Sequence, residues 1–343
     1  MTPIILERPE MVRRDIPFRG SAKQHRKRIR DILHGKDERL LVIAGPCSIF
    51  NTQGALEFAE RFARLRAETA DKLELVLRVP PAKPRTVSKA GQWEGLIHEP
   101  HAVAQYEPTE GIRLSRTILR DIAQMDIPLA IELLDTKRTR YFDDVLSLTW
   151  TGARTVENSE LRRQASGMLW PVGFKNRTDG AIKPALDAIE SASGANFYDA
   201  TDSESGATSV LMSAGNKDAF LILRGGEKAL NYAPEDVAAA QAALKARNLL
   251  EFVVVDSAHG NSVDENGVRT HKRQIPVFES TVGEWLGGNK KLGAMMEVYL
   301  KEGKQEVTSG TSLDSLDYAL SPTDSCVGWD DFESAIRQSA SRM

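Results

Sequence analysis

The sequence predicts an α/β chain closed as a (β/α)8 (TIM) barrel, with an N-terminal extension and a small inserted hairpin. Three observations carry that prediction. Apolar runs of strand length alternate with helical stretches from residue 40 to about residue 298, the pattern of a parallel sheet flanked by helices. The main runs number eight, the count that closes such a barrel. No Gly-x-Gly-x-x-Gly turn follows any of them, so the runner-up, an open doubly wound sheet, lacks its phosphate glycines.

In chain order, residues 1–20 hold three prolines without clear periodicity and read as an arm. Residues 21–34 read as a helix stopped by Gly35. Its cations Lys23, Arg26, Lys27, Arg28 and Arg30 read as a solvated face, because no aromatic residues are interleaved with them. Residues 1–35 therefore form an arm and helix, and 36–343 the barrel domain. The first strand, 40–44, ends abruptly at Gly45-Pro46 and presents Cys47 and Ser48. A helix over 53–67 carries an apolar stripe of Leu56, Ala59, Phe62 and Leu65. Strand two spans 73–79, and a long loop to about residue 108 follows; loops of that length in compact domains are usually functional. A helix over 109–125, strand three over 128–134, a helix near 137–147 and strand four over 148–155 come next. Strand five is 170–176, then Asp179 is placed to cap a helix over 181–192, with Pro184 in its first turn. Residues 196–201 open a polar Ser/Gly stretch that reads as the inserted hairpin or loop. Strand six (220–224), a helix (234–247), strand seven (252–256), a helix near 273–287 and strand eight (292–298) complete the barrel. A polar loop over 303–327 and a final helix from about residue 330 close the chain.

Bulk properties narrow the function classes. The 343 residues are 41% hydrophobic and 27% charged, an ordinary soluble composition, and the formal net charge of -3 gives no reason to expect nucleic acid. No apolar run reaches membrane-spanning length, and the N-terminus carries charge where a secretory signal needs an apolar core. The expectation is a cytoplasmic protein with no membrane or nucleic-acid partner. Two cysteines, Cys47 and Cys326, imply no disulfide framework.

The chemistry lies at the strand ends. In a barrel of this kind those ends build the active site. Here they carry, in order, Cys47, Arg78, Glu132, Arg154, Lys175, Arg224, His259 and Glu297. Four are cations. Arginine forks and a lysine point charge, converging on one mouth, suit a polyanionic small substrate; the competing reading is a set of internal salt bridges. After strand two, Lys83, Pro84, Arg85 and Thr86 form a stiffened basic turn suited to a second phosphate. Cys47, His259 and Glu297, with Asp324 from the C-terminal loop, offer thiolate, imidazole and carboxylates to a divalent transition ion such as Mn, Fe, Co or Zn. The spacings are too long for a local zinc motif. A small buried hydrophobe is the bland reading of Cys47, and a satisfied core histidine that of His259.

With these residues in view, the chain resembles the class I 3-deoxy-D-arabino-heptulosonate 7-phosphate (DAHP) synthases, most closely the branch of feedback-regulated enterobacterial isozymes. The matching segments are LLVIAGPCSI (40–49), LVLRV (75–79), KPRT (83–86), GLI (95–97), GART (152–155), PVGFKN (171–176), TDG (178–180), LRGG (223–226), HGN (259–261) and TDSCVGW (323–329). The resemblance implies a barrel transferase of aromatic amino acid biosynthesis, at the entry to the shikimate pathway. It would condense phosphoenolpyruvate with erythrose 4-phosphate and release phosphate. It implies metal ligation by Cys47, His259, Glu297 and Asp324 and phosphoenolpyruvate contacts from Arg78, Ala153, Arg154, Lys175 and Arg224. Aldose-phosphate contacts would come from Lys83, Pro84, Arg85 and Thr86. Catalytic roles fall on Lys83, Glu132, Lys175 and His259. A homo-oligomer, dimer or tetramer, is expected, with the arm as an interface.

Departures from the family pattern cluster on the aldehyde side. Pro80 and Ala82 replace an aromatic and a carboxylate, Glu94 stands where a lysine is expected, and Lys89 in an insertion is the candidate substitute. The family's Lys-Trp-Gly-His-like segment is replaced by residues 202–206, DSESG. Leu133, Arg138, Gln164 and Leu169 alter the segments of the regulatory aromatic pocket, so loss of feedback inhibition is expected. Two alternatives follow: a paralogue of specialised metabolism taking another aldehyde, or a catalytically weak regulatory paralogue.

Overall fold

The computed structural model describes residues 4–20, 22–83, 92–133, 135–202, 204–227 and 229–343. Its strands are β1 (Leu40–Gly45), β2 (Leu73–Arg78), β3 (Leu129–Glu132), β4 (Leu146–Thr151), β5 (Val172–Lys175), β6 (Asn196–Thr201), β7 (Thr208–Ser213), β8 (Ala219–Leu223), β9 (Val253–Asp256) and β10 (Leu292–Glu297). Eight of them pair in parallel and close a (β/α)8 barrel in the order β1-β2-β3-β4-β5-β8-β9-β10. β6 and β7 form a separate antiparallel hairpin, as the polar Ser/Gly stretch predicted.

Strand periodicity divides the core in two. Alternate side chains of a strand face opposite sides. On β2, Leu73, Leu75 and Leu77 join the outer core under the helices, while Val76 joins the barrel interior. Interior positions on β8 are Phe220 and Ile222, on β9 Val254, preceded by Phe252, and on β10 Met295. Continuing each series by two residues gives Arg78, Arg224, Asp256 and Glu297. The pattern that fills the lumen with apolar layers therefore crowns it with charge.

The helices are α1 (Pro9–Asp15), α2 (Ala22–Leu33), α3 (Thr52–Glu68), α4 (Pro108–Gln124), α5 (Ser159–Ser166), α6 (Lys183–Ser193), α7 (Pro234–Ala246), α8 (Gln274–Leu286) and α9 (Trp329–Ser341). α3 starts where the Asn51 side chain accepts from Gly54 N–H at 2.7 Å, an N-cap. It buries Ala55, Phe58, Ala59, Phe62 and Leu65, one helical stripe. α2 plugs the bottom of the barrel, where Ile29, Ile32 and Leu33 belong to the interior cluster. None of the described helices is long and apolar enough to cross a membrane.

Several expectations are corrected. No α-helix fills 137–147: Asp135 accepts from Lys137 N–H and Arg138 N–H, and the chain makes only a short 3-10 turn at Arg138–Tyr141. β4 then starts at Leu146 and stops at Thr151 rather than 155, because Gly152 opens a turn closed by Thr155 N–H donating to its carbonyl. α5 was not expected, although Asn158 caps it by accepting from Glu160 N–H and Leu161 N–H. The arm contains α1, with Pro9 in its first turn, and Arg116 fixes the arm by donating to the Ile16 carbonyl at 3.1 Å. Asp179 does not cap α6, whose N-cap position is Ile182; it accepts from Ala181 N–H and pairs with Arg177. The basic face of α2 is not simply solvated. Arg26 is buried, donates to the Leu146 carbonyl at 2.8 Å and stacks over Trp170, while Arg28 approaches buried Glu74 and Arg30 pairs with Asp218.

His25 on α2 gives a stability prediction. It is buried, donates from Nε2 to Asp126 at 3.1 Å and accepts at Nδ1 from Arg28, the pattern of a neutral ring. Burial, and then the Arg28 charge, push its pKa down from 6.5 to about 4. Between those values the unfolded chain binds the proton and the folded chain does not. Stability is therefore expected to fall as pH drops from 6.5 toward 4, by up to ~1.4 kcal/mol per pH unit. His25→Gln should flatten that stretch of the curve in urea titrations at successive pH values.

Candidate active site

The charged crown lines a cleft of about 670 Å³, its open mouth included. At its base Arg78, 2% exposed, donates from Nη2 to Glu297 Oε1 at 3.1 Å. Lys175 Nζ donates to Asp256 Oδ2 at 2.6 Å. Both cations lie over the buried Trp150 ring, at 5.1 Å from the Arg78 guanidinium carbon and 5.8 Å from Lys175 Nζ, which helps hold positive charge out of water. The pairing is incomplete. Arg78 Nε and Nη1 and Glu297 Oε2 are buried without a hydrogen bond among the described residues. Burial opposes the charge on Arg78, yet Glu297 and its other acidic neighbours raise its pKa. A buried guanidinium with two idle donors is a receptor for an anion.

Arg154 follows β4 after Gly152 and Ala153, and Arg224 follows β8; all four line the cleft with Thr178. Arg224 N–H donates to Asn176 Oδ1 at 2.8 Å, which ties the ends of β8 and β5 together. Burial lowers the Arg224 pKa, and Arg269 and Arg154 lower it further, so these guanidiniums crowd one another. The LRGG and HGN segments are backbone-to-backbone: a Cβ on Gly225, at φ +71°, would lie 2.4 Å from the Gly260 carbonyl carbon. His259 itself sits at φ +57°, a left-handed conformation costly for a non-glycine residue. Its Nε2 lies 3.2 Å from Lys175 Nζ and 3.8 Å from Glu297 Oε1, and its Nδ1 accepts from Arg269 at 2.8 Å. Burial and the surrounding cations hold it well below its ordinary pKa, as a neutral ring.

Beside this floor, Cys47 Sγ and one carboxylate oxygen each of Glu297 and Asp324 all lie within 4.8 Å of one another. His259 adjoins this trio through Glu297 but is not part of it. Lys83 Nζ reaches in, 2.6 Å from Cys47 Sγ and 3.3 Å from Asp324 Oδ2, so the donor set already holds a cationic group. Burial, with Asp324 and Glu297, pushes the Cys47 thiol up. Burial works against ionised Asp324, but Lys83 and Arg269 outweigh it and keep that carboxyl low. A thiol, two carboxylates and an adjacent imidazole are donor types that a divalent transition ion takes, and Glu297 keeps one buried oxygen without a hydrogen bond among the described residues.

Glu132 stands at the end of β3, facing the cleft, and burial raises its pKa despite four nearby cations. Its position depends on Gly152, where an added Cβ would lie 2.1 Å from Glu132 Oε1. Gly152→Ala is therefore expected to fold, because the contact is with a movable side-chain end. It should still lower kcat by about 100-fold through displacement of the carboxylate, measured alongside thermal stability.

Lys83, Glu132, Arg78, Ala153, Arg154, Lys175, Arg224, His259, Glu297 and Asp324 thus share one cleft, with Cys47 bonded to Lys83 at its edge. Pro84, Arg85, Thr86 and Lys89 lie outside the described residues. Of the altered pocket positions, Gln164 is buried and donates to the Thr136 carbonyl, Arg138 pairs with Asp135, Leu133 is buried and Leu169 is exposed. Sequence reasoning missed Asp256 and Arg269. Asp256 was available from strand parity; Arg269 comes from a loop and gave no such signal.

A closed barrel whose mouth sets one buried guanidinium, a buried lysine and further arginines beside a thiol–carboxylate cluster has the architecture of an enzyme of small charged substrates. The comparisons specify it: the chain belongs to the DAHP synthetase I family, whose model matches residues 15–337. It is 37% identical over 339 residues to the Tyr-sensitive phospho-2-dehydro-3-deoxyheptonate aldolase of Escherichia coli K12, covering 97% of this chain and 92% of that protein. To the Phe-sensitive enzyme of the same strain it is 40% identical over 319 residues, covering 93% and 87%. A solved phospho-2-dehydro-3-deoxyheptonate aldolase from Francisella tularensis SCHU S4 superposes with a TM-score of 0.91 at 32% identity, over 99% of this chain and 97% of that one.

Proposed function

We propose that this chain is a DAHP synthase that condenses phosphoenolpyruvate with erythrose 4-phosphate, adds water and releases inorganic phosphate. The observation that carries the reading is the buried Arg78 with two idle donors, set among Lys175, Arg154 and Arg224 in a family member's cleft. Arg78 and Lys175 hold the phosphoenolpyruvate carboxylate. Arg154, Lys175 and Arg224 hold its phosphate. Their work is positioning and charge stabilisation.

The methylene carbon of phosphoenolpyruvate forms the new bond to the aldehyde carbon. Lys83, kept protonated by Cys47 and Asp324, donates a proton to the resulting alkoxide. Glu132, whose raised pKa suits proton transfer, orients and deprotonates the water that adds at the enol-ether carbon. Phosphate leaves with C–O cleavage. Family membership implies a divalent metal, and Cys47, Glu297, Asp324 and His259 would hold it. Such an ion supplies Lewis-acid polarisation of a carbonyl oxygen; the thiol and imidazole donors favour Mn, Fe, Co or Zn over Mg or Ca.

A cytoplasmic homo-oligomer completes the proposal. Phe197, Val210 and Met212 are exposed together on the β6–β7 hairpin, an apolar face that self-association would cover.

The test is phosphate release from phosphoenolpyruvate with added Mn, with and without erythrose 4-phosphate. Aldose-dependent release supports the proposal. Bound metal and bound phosphoenolpyruvate without release would instead direct the search to another aldehyde. Absence of bound metal and of any response to Mn or Co would favour a regulatory paralogue.

A further inference from the structure

The three close donors of the cation site are not held alike. Cys47 and Glu297 are buried, so the core fixes them, whereas the Asp324 side chain is 38% exposed and stands on the loop after β10. Backbone pairing anchors that loop just beyond Asp324. Cys326 N–H donates to the Gly303 carbonyl at 3.0 Å, Gly303 N–H donates back at 2.8 Å, and Val327 N–H donates to the Glu297 carbonyl at 2.9 Å. The residues that flank Asp324 are tied through hydroxyls instead. Thr323 Oγ1 shares a hydrogen bond with Ser48 Oγ at 2.8 Å, and Ser325 Oγ shares one with His271 Nδ1 at 2.7 Å. The first tether joins Asp324 to the chain neighbour of Cys47. The second reaches a histidine that the proposed condensation does not use.

His271 stands on a fixed support. It opens a short 3-10 turn, His271–Arg273, where Thr270 accepts from Lys272 N–H, and that turn runs directly into α8. α8 buries Val277, Phe278, Thr281, Val282 and Trp285, so its start has little freedom. Gln274, the first residue of α8, is buried, and its Oε1 accepts from Glu297 N–H at 2.8 Å. One helix start therefore holds both carboxylates of the cluster, Glu297 through Gln274 and Asp324 through His271 and Ser325. The imidazole is 15% exposed and is itself oriented, with Nε2 3.3 Å from Glu302 Oε2. A neutral ring with its proton on Nε2 donates to Glu302 and accepts the Ser325 hydroxyl proton at Nδ1, so one tautomer satisfies both contacts. The ring lines a groove between α8 and α9, outside the substrate cleft.

We infer that His271 is a positioning residue for the cation site: through Ser325 it holds Asp324 where Cys47 and Glu297 meet it. This rests on the proposed metal-dependent reading, in which Asp324 is a ligand. An exposed loop carboxylate that must be ordered when the ion binds costs conformational entropy at that step, and one already ordered does not. Outer partners of metal ligands are worth about 10- to 100-fold in affinity. His271 acts one residue removed from the ligand, so the lower end of that range applies.

The test strips the purified protein of metal and titrates it with Mn, reading free Mn by electron paramagnetic resonance with no substrate present. His271→Leu and Ser325→Ala are each expected to raise the Mn dissociation constant by about tenfold. The double variant should lose no more than either alone, because both changes remove the same hydrogen bond. His271→Asn, whose carboxamide still accepts the hydroxyl proton, should recover most of the wild-type affinity. With Co in place of Mn, the thiolate-to-metal absorption from Cys47 should persist in every variant at saturation. Its loss in a variant would mean general collapse of the cluster and overturn the proposal. Mn affinity within twofold of wild type in both single variants would overturn it too. So would losses that add in the double variant, or a loss in His271→Leu that Ser325→Ala does not share or His271→Asn does not relieve, since packing at the start of α8 would then be the cause. Wild-type protein that binds neither Mn nor Co refutes the cation site itself. Wild-type binding beside unaltered variants refutes only the role of His271.

Discussion

Arg78→Gln is expected to lower kcat/KM for phosphoenolpyruvate on the order of 1,000-fold. The side chain is buried at the cleft base, bonded to Glu297 through one nitrogen and idle at two others. On the proposed reading those two nitrogens take the substrate carboxylate. Truncating one partner of a buried charged pair typically costs about 2–5 kcal/mol, which spans roughly 30- to 5,000-fold. The upper part of that range applies because Gln also leaves the buried Glu297 without its counter-charge. The same loss destabilises the fold, by an expected 3–5 kcal/mol for a broken buried pair. Arg78→Lys separates the two effects. It restores a charge beside Glu297 and much of the stability, but has one compact ammonium where the substrate meets a fork. Calorimetric affinity for phosphoenolpyruvate should then remain more than about tenfold weaker than wild type while urea stability recovers. Affinity within twofold of wild type in Arg78→Gln would remove Arg78 from the substrate site.

Much of this site was legible because a barrel imposes order on side chains. Once β2 is recognised as a strand, Val76 in the lumen forces Arg78 onto the same side, and the same step from Met295 reaches Glu297. Asp256 obeys that rule through Val254, although His259, three residues further on, is the more conspicuous ligand type after the same strand. The errors fall where tertiary contacts override local pattern. Residues 137–147 resemble a helix, but Asp135 takes up Lys137 N–H and Arg138 N–H and the apolar run from Leu146 joins the sheet. The cations of α2 look like a water-facing stripe in isolation; Glu74 and Asp218, which neutralise two of them, come from distant segments. Arg269 depends on the register of a turn, which no periodicity reports. The position of Lys83 between Cys47 and Asp324 likewise joins three segments far apart in the chain.

The two cysteines give the second large effect and its control. Cys47→Ser is expected to lower metal affinity by at least about 100-fold, the upper scale seen for losing even an outer partner of a ligand. Activity without excess metal should fall with it. Serine keeps the small size of the side chain and a polar terminal group but supplies no thiolate, the donor that selects softer transition ions. Bound metal after gel filtration, measured by elemental analysis, reads the effect without reference to turnover. Cys326 is also buried and lies close enough to sense Glu297, yet its Sγ faces the Asp324 carbonyl at 3.5 Å and it is absent from the cluster of close donors. Burial holds that thiol up at about 12, so it stays protonated across the working range. Cys326→Ser should therefore retain metal and most activity while paying a similar packing cost. If both variants lost metal alike, the loss would come from disturbed packing around the C-terminal loop, and Cys47 would return to being a small buried side chain. Loss in Cys47→Ser alone assigns the thiolate to the ion. It would also explain why the chain puts a titratable thiol between Lys83 and Asp324, in a place where an alanine would pack as well.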